Sequence, residues 1–241
     1  TLDIENKLML YMSSIENVDA VYNRRTNQQN DYFTSHELDN IFSKVWRGLQ
    51  KKNKELFPVE QIIRDSAIFK ASPFHKLTEE QIRTKDFITL RIMQALTKEK
   101  TGQLILVTGE AGSGKTVLMS SLFYELNQLS KDDPENLIFK DTKNFLLVNH
   151  EQQLKVYQQI ATKLGIYSKK QPDLVAKPTP FINNHGPTDK VDVVIVDEAH
   201  LLWTQGKQSY RGKNQLYDLL ERAKVVVAVF DQNQVLSTQQ Y

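Results

Sequence analysis

The sequence predicts an α/β fold: a parallel sheet flanked by helices, with an N-terminal helical extension. Three observations point there. From about residue 71 onward four short apolar runs alternate with helical patterns, and strand, helix, strand, helix in that order builds a parallel sheet with right-handed crossovers. The first run leads straight into a glycine-rich loop and then a helix. The first 70 residues, by contrast, carry helical periodicity and no strand pattern. The expected division is therefore 1–70, a helical extension, and 71–241, the α/β unit.

Composition agrees and narrows the class. The 241 residues make about 1.6 typical domain lengths, and 40% hydrophobic, 9% aromatic and 25% charged residues with 9 Gly and 7 Pro exclude collagen-like and wholly disordered chains. No stretch approaches the roughly 18 apolar residues of a spanning helix, and Thr1-Leu2-Asp3-Ile4-Glu5 does not open a secretory signal. With no cysteine, disulfides, thiol nucleophiles and cysteine-bound metals are excluded, which suits a cytoplasmic home. A net charge of +2 is too balanced for a nucleic-acid coat, so any nucleic-acid contact must be local.

In chain order, Ile4, Leu8, Tyr11 and Ile15 recur at helical spacing and predict an amphipathic helix ending near 13–17. The polar stretch from Asn23 to Asp31 is a loop. Thr34 with Glu37 forms a capping box before the stripe Leu38, Ile41, Phe42, Val45 and Leu49. That helix ends in Lys51-Lys52-Asn53-Lys54, and Pro58 separates it from a short segment holding Ile62 and Ile63. Thr78 to Thr97 is a helix by Ile88, Ile92 and Leu96. Leu104 to Thr108 is a strand expected to be buried on both faces. A helix from Lys115 to about Ser130, a strand from Phe145 to Asn149 and a helix stopping at Gly165 follow. Residues 166–190, with four prolines, read as a long irregular excursion of the functional or mobile kind. Val191 to Val196 and Lys224 to Phe230 are buried strands around a helix from Gln215 to Ala223.

The chemistry concentrates after the first strand. Gly109, Glu110, Ala111, Gly112, Ser113, Gly114, Lys115 and Thr116 match the phosphate-binding loop pattern in full, with the required strand before and helix after. Glycines let successive N–H groups turn toward phosphate oxygens, and the helix N-terminus adds partial positive charge. Lys115 is placed to reach β- and γ-phosphates, and the Thr116 hydroxyl to ligate Mg²⁺. Such a site needs a carboxylate on a neighbouring strand end. Val193-Val194-Ile195-Val196-Asp197-Glu198 supplies Asp197 for the metal shell, and Glu198 as the base that polarises the attacking water. Adjacent acids there imply hydrolysis.

Together with Asp197-Glu198-Ala199-His200 and Phe230-Asp231-Gln232-Asn233-Gln234, the loop resembles the first RecA-like domain of superfamily 1 helicases. From Leu77 to Tyr241, about two thirds of the chain, the sequence resembles the Schlafen-type helicase-like ATPase domain of bacterial proteins. The resemblance implies ATP and Mg²⁺ as ligands, nucleic acid (DNA or RNA) as partner, Gln234 as γ-phosphate sensor and His200 as a link between motifs. Phe230 stands where a glycine usually precedes the Asp, a departure that bears on Gln234. Leu77-Thr78-Glu79-Glu80-Gln81 resembles the adenine-reading motif of the same helicases, with Gln81 offering donor and acceptor together. Thr78 and Gln81 also form a capping box, and both roles can hold.

Three other segments have two readings each. Trp203 to Lys213 could stack bases and hold phosphates, or be a solvated loop. Asn149-His150 falls where relatives contact the strand, but a lone His at a strand end more often serves as a structural hydrogen-bond partner. Leu2 to Tyr11 resembles the closing part of a GIY-YIG nuclease domain, with Glu5 at its metal-binding position, and reads otherwise as an amphipathic helix. A second RecA-like domain is expected beyond Tyr241, so that the isolated chain binds nucleotide weakly and turns it over slowly. The rival readings are an ATP-dependent switch or assembly module, and the ATPase part of a DNA-cleaving restriction or defence enzyme.

Overall fold

The computed structural model describes residues 2–22, 37–98, 100–132, 137–167, 171–206, 210–212 and 214–231. Four helices come first: α1 (Leu2–Ser13), α2 (Leu38–Lys52), α3 (Glu60–Asp65) and α4 (Ala67–Ala71). They close around a cluster of Leu10, Tyr11, Ile15, Val18, Phe42, Trp46 and Ile63. Tyr11 packs its ring 4.7 Å from that of Phe42 and 5.0 Å from that of Trp46. Buried aromatics need outlets for their polar atoms. Trp46 Nε1 donates to the Pro58 carbonyl at 2.9 Å, and the Tyr11 hydroxyl accepts from Arg64 Nε at 2.6 Å. Thr34 of the expected capping box lies outside the described residues, and Glu37, the N-cap, makes no side-chain cap bond.

The α/β part follows as α5 (Glu79–Thr97), β1 (Gln103–Thr108), α6 (Lys115–Asp132), β2 (Asn144–Val148), α7 (Glu151–Lys163), β3 (Val175–Ala176), α8 (Pro178–Asn184), β4 (Val191–Asp197), α9 (Gln215–Arg222) and β5 (Ala223–Phe230). The strands form one sheet in the order β1-β5-β4-β2-β3, every pair parallel. The chain is thus α/β with a five-stranded parallel sheet flanked by helices, an architecture consistent with a RecA-like fold.

Register carries each face across the sheet. Leu104 pairs with Val226, Val226 with Val194, and Val194 with Phe145, so these four side chains share a face. On that face Phe145 meets Phe181 of α8 with ring centroids 5.1 Å apart. Gln215 Nε2 donates to Thr179 Oγ1 at 2.9 Å, tying α9 to α8. The opposite face carries Asn144, whose Nδ2 donates to the Leu126 carbonyl of α6 at 3.2 Å. β4 and β5 are buried on both faces along most of their length.

Two expectations need correction. β1 is not buried on both faces: Leu104 is 44% and Leu106 59% exposed. The cause is strand order, since β1 lies at the sheet edge with β5 as its partner among the described residues. The expected irregular excursion over 166–190 is not irregular either, because its described part from 171 on contains β3 and α8. Pro178 sits in the first turn of α8, where a missing N–H costs nothing, and Phe181 and Ile182 are buried. Two smaller differences concern α4, which has no counterpart in the sequence reading, and α9, which ends at Arg222 so that Ala223 already belongs to β5.

The helix α7 joins the two clusters. Its first turns face the sheet, while Lys163 Nζ donates to the Ile15 carbonyl at 2.5 Å and the Val21 N–H donates to the Lys163 carbonyl at 2.7 Å. Among the described residues no helix is long and apolar enough to cross a membrane.

Candidate functional site

All parallel strands point their carboxyl ends the same way, so the loops after β1, β2, β4 and β5 meet at one edge of the sheet. The loop after β1 bends at Gly112 (φ 78°) and Gly114 (φ 80°), conformations open to glycine at little cost. It is closed by the Ser113 N–H donating to the Glu110 carbonyl at 3.2 Å. The α6 helix starts directly behind it at Lys115. Lys115 turns back over the loop: its Nζ donates to the carbonyls of Gly109 and Glu110 at 2.7 Å each and to Asp231 Oδ2 at 3.2 Å. Three ammonium protons thus have three oxygens. β1 and β5 are neighbours, which is why Asp231, the residue after β5, can reach it; Asp231 is 1% exposed.

Asp197 ends β4 and is likewise 1% exposed. Its Oδ1 accepts the Glu198 N–H at 3.0 Å. Its Oδ2 accepts the Tyr157 hydroxyl at 2.6 Å and Gln153 Nε2 at 2.7 Å. Burial, together with the neighbouring Glu198 charge, pushes the Asp197 carboxyl up to about 6, against the opposing Tyr157 hydrogen bond. Tyr157 is itself held well above the usual phenol range, by burial first and by Asp197 second. Gln153 Nε2 also stands 3.5 Å from Thr116 Oγ1. One amide therefore touches both the hydroxyl of the loop and the carboxylate of β4.

Glu198 adopts the left-handed conformation, φ 54° and ψ 47°. Its Oε2 lies 3.2 Å from His200 Nε2. Burial raises the Glu198 carboxyl, with Lys115 opposing. It also lowers the His200 imidazole, to which Asp231 is a smaller, opposing influence. A neutral His200 with its proton on Nε2 donates to Glu198; its Nδ1 is buried with no hydrogen-bond partner among the described residues.

A family model for the Schlafen group 3 DNA/RNA helicase domain matches residues 102–241, more than half of the chain. The chain belongs to the Schlafen group 3 helicase-domain family. It is also 36% identical over 170 residues to the "Uncharacterized protein YPL245W" of Saccharomyces cerevisiae (strain ATCC 204508 / S288c), an alignment covering 68% of this chain and 37% of that protein. The chain spans well under half the length of that relative.

Within this Schlafen-type domain the structure brings together Lys115, Thr116, Asp197 and Glu198. Gln81 joins them from α5: its Nε2 donates to the Ser113 carbonyl at 2.9 Å, its Oε1 accepts the Thr78 N–H at 2.9 Å, and the capping box with Thr78 is complete. Each end of that amide keeps one further hydrogen-bonding direction. Gln234 lies outside the described residues, as do Lys207 and Lys213 of the 203–213 segment. Tyr210 is 2% exposed and hydrogen-bonds Asp218, and Trp203 packs partly buried against the core. Tyr210 therefore faces inward and is not available for stacking; Trp203 is partly buried and Arg211 exposed. His150 caps α7, accepting the Gln153 N–H on Nδ1 at 3.4 Å, and Asn149 Nδ2 donates to the Leu201 carbonyl at 2.9 Å. Glu5 is exposed on α1. Sequence reasoning gave no role to Gln153, Tyr157 or Asp231. Asp231 did lie in the Phe230–Gln234 segment that carries the resemblance; for α7 the available signal was Gln153, a polar residue one turn before Tyr157 and in line with the apolar stripe.

Proposed function

We propose that this chain is a P-loop NTPase of RecA-like fold that binds ATP with Mg²⁺ and hydrolyses it, within a helicase-like protein acting on nucleic acid. Residues 71–241 form the ATPase unit and 1–70 a helical extension, whose α1 is the candidate tail of a GIY-YIG-like module. The observation that carries this reading is the Gln153 amide spanning Thr116 Oγ1 and Asp197 Oδ2. It sets a neutral hydroxyl beside a carboxylate whose other oxygen, Oδ1, keeps an acceptor direction open, an all-oxygen pair suited to a hard cation. Mg²⁺ suits such a pair, being an ion held by one or two protein oxygens with substrate phosphates and waters completing its shell. Bound there, Mg²⁺ supplies charge neutralisation at the phosphates.

The chain's own residues do the rest. The loop N–H groups and the α6 N-terminus receive the phosphates. Lys115 exchanges carbonyl partners for phosphate oxygens, trading neutral acceptors for charged ones. Glu198 accepts a proton from water as the water oxygen attacks the γ-phosphorus and the bond to the β–γ bridging oxygen breaks. A carboxyl raised by burial is a better match to that proton at neutral pH. His200 fixes the orientation of Glu198. Gln81 retains a donor and an acceptor for the base edge, and Gln234 is the candidate γ-phosphate sensor.

Calorimetric titration of ATP with Mg²⁺ tests the site. Lys115→Ala is expected to weaken binding by at least about tenfold, a loss of roughly 1.4 kcal/mol or more; unchanged affinity would refute the assignment. ATP turnover with and without single-stranded and duplex nucleic acid then tests the partner. Marked stimulation supports the motor reading, and none supports a nucleotide-dependent switch.

A further inference from the structure

We propose that Tyr157 and Gln153 are positioning residues that hold Asp197 in the one orientation that serves the metal. The inference rests on the reading of Thr116 and Asp197 as the oxygens that receive Mg²⁺ with ATP. A carboxylate offers about four acceptor directions. Three are taken: two on Oδ2 by Tyr157 and Gln153, and one on Oδ1 by the Glu198 N–H. A single direction remains, on Oδ1, and turning the carboxylate would break three hydrogen bonds at once.

The chemistry of the two donors supports a dedicated role. Tyr157 is 2% exposed, and burying a hydroxyl is costly unless it is paired. Its one proton goes to Asp197 at 2.6 Å rather than to the Thr116 carbonyl at 3.3 Å. A phenylalanine would fill the same space, so packing alone does not call for the hydroxyl. Gln153, with two amide protons, directs both toward oxygens of the site, Asp197 Oδ2 and Thr116 Oγ1. Both donors are neutral. They orient the carboxylate without cancelling the charge that a cation needs, which a lysine or arginine in their place would do. Spacing i, i+4 puts them on one side of α7, and the α7 N-cap at His150 and the hydrogen bond from Gln158 Nε2 to the Val175 carbonyl at 2.9 Å seat that helix.

The test reads metal dependence separately from catalysis. A fluorescent ADP analogue is titrated into the intact chain in EDTA and over a Mg²⁺ series, for the wild type, Tyr157→Phe, Gln153→Leu, the double variant and Gln158→Ala. Partners that orient a metal ligand are worth about 10- to 100-fold in metal affinity. Tyr157→Phe and Gln153→Leu are each expected to raise the Mg²⁺ concentration for half-maximal tightening about tenfold, with binding in EDTA nearly unchanged and the melting temperature lowered by the loss of one hydrogen bond to a buried carboxylate. Gln158→Ala, which loosens α7 without touching Asp197, is expected to leave the Mg²⁺ curve in place. Curves for Tyr157→Phe and Gln153→Leu within twofold of the wild type would overturn the positioning role while leaving the nucleotide reading intact. A shift of the same size in Gln158→Ala would also overturn it, in favour of a general effect of α7. A wild type whose nucleotide affinity ignores Mg²⁺ would overturn both.

Discussion

Glu198 sits at φ 54°, a conformation that disfavours any side chain by roughly 1–2 kcal/mol. Two substitutions separate its structural cost from its chemical use. Glu198→Gln is expected to keep ATP binding within a few-fold while lowering turnover by at least about 100-fold, consistent with general-base losses, measured by single-turnover hydrolysis. Glu198→Gly is expected to raise the nucleotide-free melting temperature, through a gain of up to about 1 kcal/mol, while losing turnover equally. Asp197 makes a pH prediction. Its carboxyl, pushed up mainly by burial to about 6, holds its proton in the folded chain at pH values where an unfolded Asp, near 3.9, has released it. The folded state then binds more protons between about pH 4 and 6. Stability from this group is fully present below pH 4, falls as pH rises through 6 and is flat above, by an amount on the order of 3 kcal/mol. Thermal melts of the metal-free chain across that window should show the fall, and Asp197→Asn should flatten the slope. The loop and the acidic pair were legible in the sequence because each is a contiguous motif beside its own strand. Tyr157 and Asp231 were not, since their roles depend on which strands and helices become neighbours.

The capping box opening α5 is both an element signal and a site support. Thr78 Oγ1 accepts the Gln81 N–H at 3.2 Å, and the Gln81 amide goes on to the Ser113 carbonyl. Thr78→Ala is expected to cost about 1 kcal/mol of stability in urea unfolding, the usual worth of an N-cap. ATP binding is expected to stay within a few-fold of the wild type, because the Gln81 amide keeps both the Thr78 N–H and the Ser113 carbonyl; Gln81→Ala, which removes the amide itself, should weaken it, and unchanged binding there would detach α5 from the site. Helices such as α5 and α7 could be read from periodicity, since Ile88 and Ile92, or Leu154, Tyr157 and Ile160, repeat on one face and are buried. α8 could not. Four prolines between 166 and 190 suggest interruption, yet Pro178 and Pro180 lie in the opening turn, the place where a helix tolerates proline.

At the scale of the molecule, parallel β-strands and flanking helices followed from element order alone, whereas strand order is a long-range outcome. Leu104 to Thr108 has the composition of a central strand and stands at an edge of the sheet that the described residues form. Where β1 lies matters for the site, because β5 comes between it and β4. Lys115 and Asp197 thus arrive from strands separated by one, with Asp231 directly after the strand between. The same position has a colloidal consequence. Leu104 and Leu106 face outward beside backbone donors and acceptors that no strand uses among the described residues, the kind of border on which a second chain can assemble. A net charge of only +2 offers little mutual repulsion to prevent it. Light scattering of concentrated solutions is expected to give a negative second virial coefficient that Leu106→Lys moves toward positive values, with ATP affinity unaltered. An unchanged coefficient would exonerate β1. If the coefficient moves, the concentration at which this chain stays monomeric is set by one strand's border, and salt, by screening what repulsion there is, should lower it.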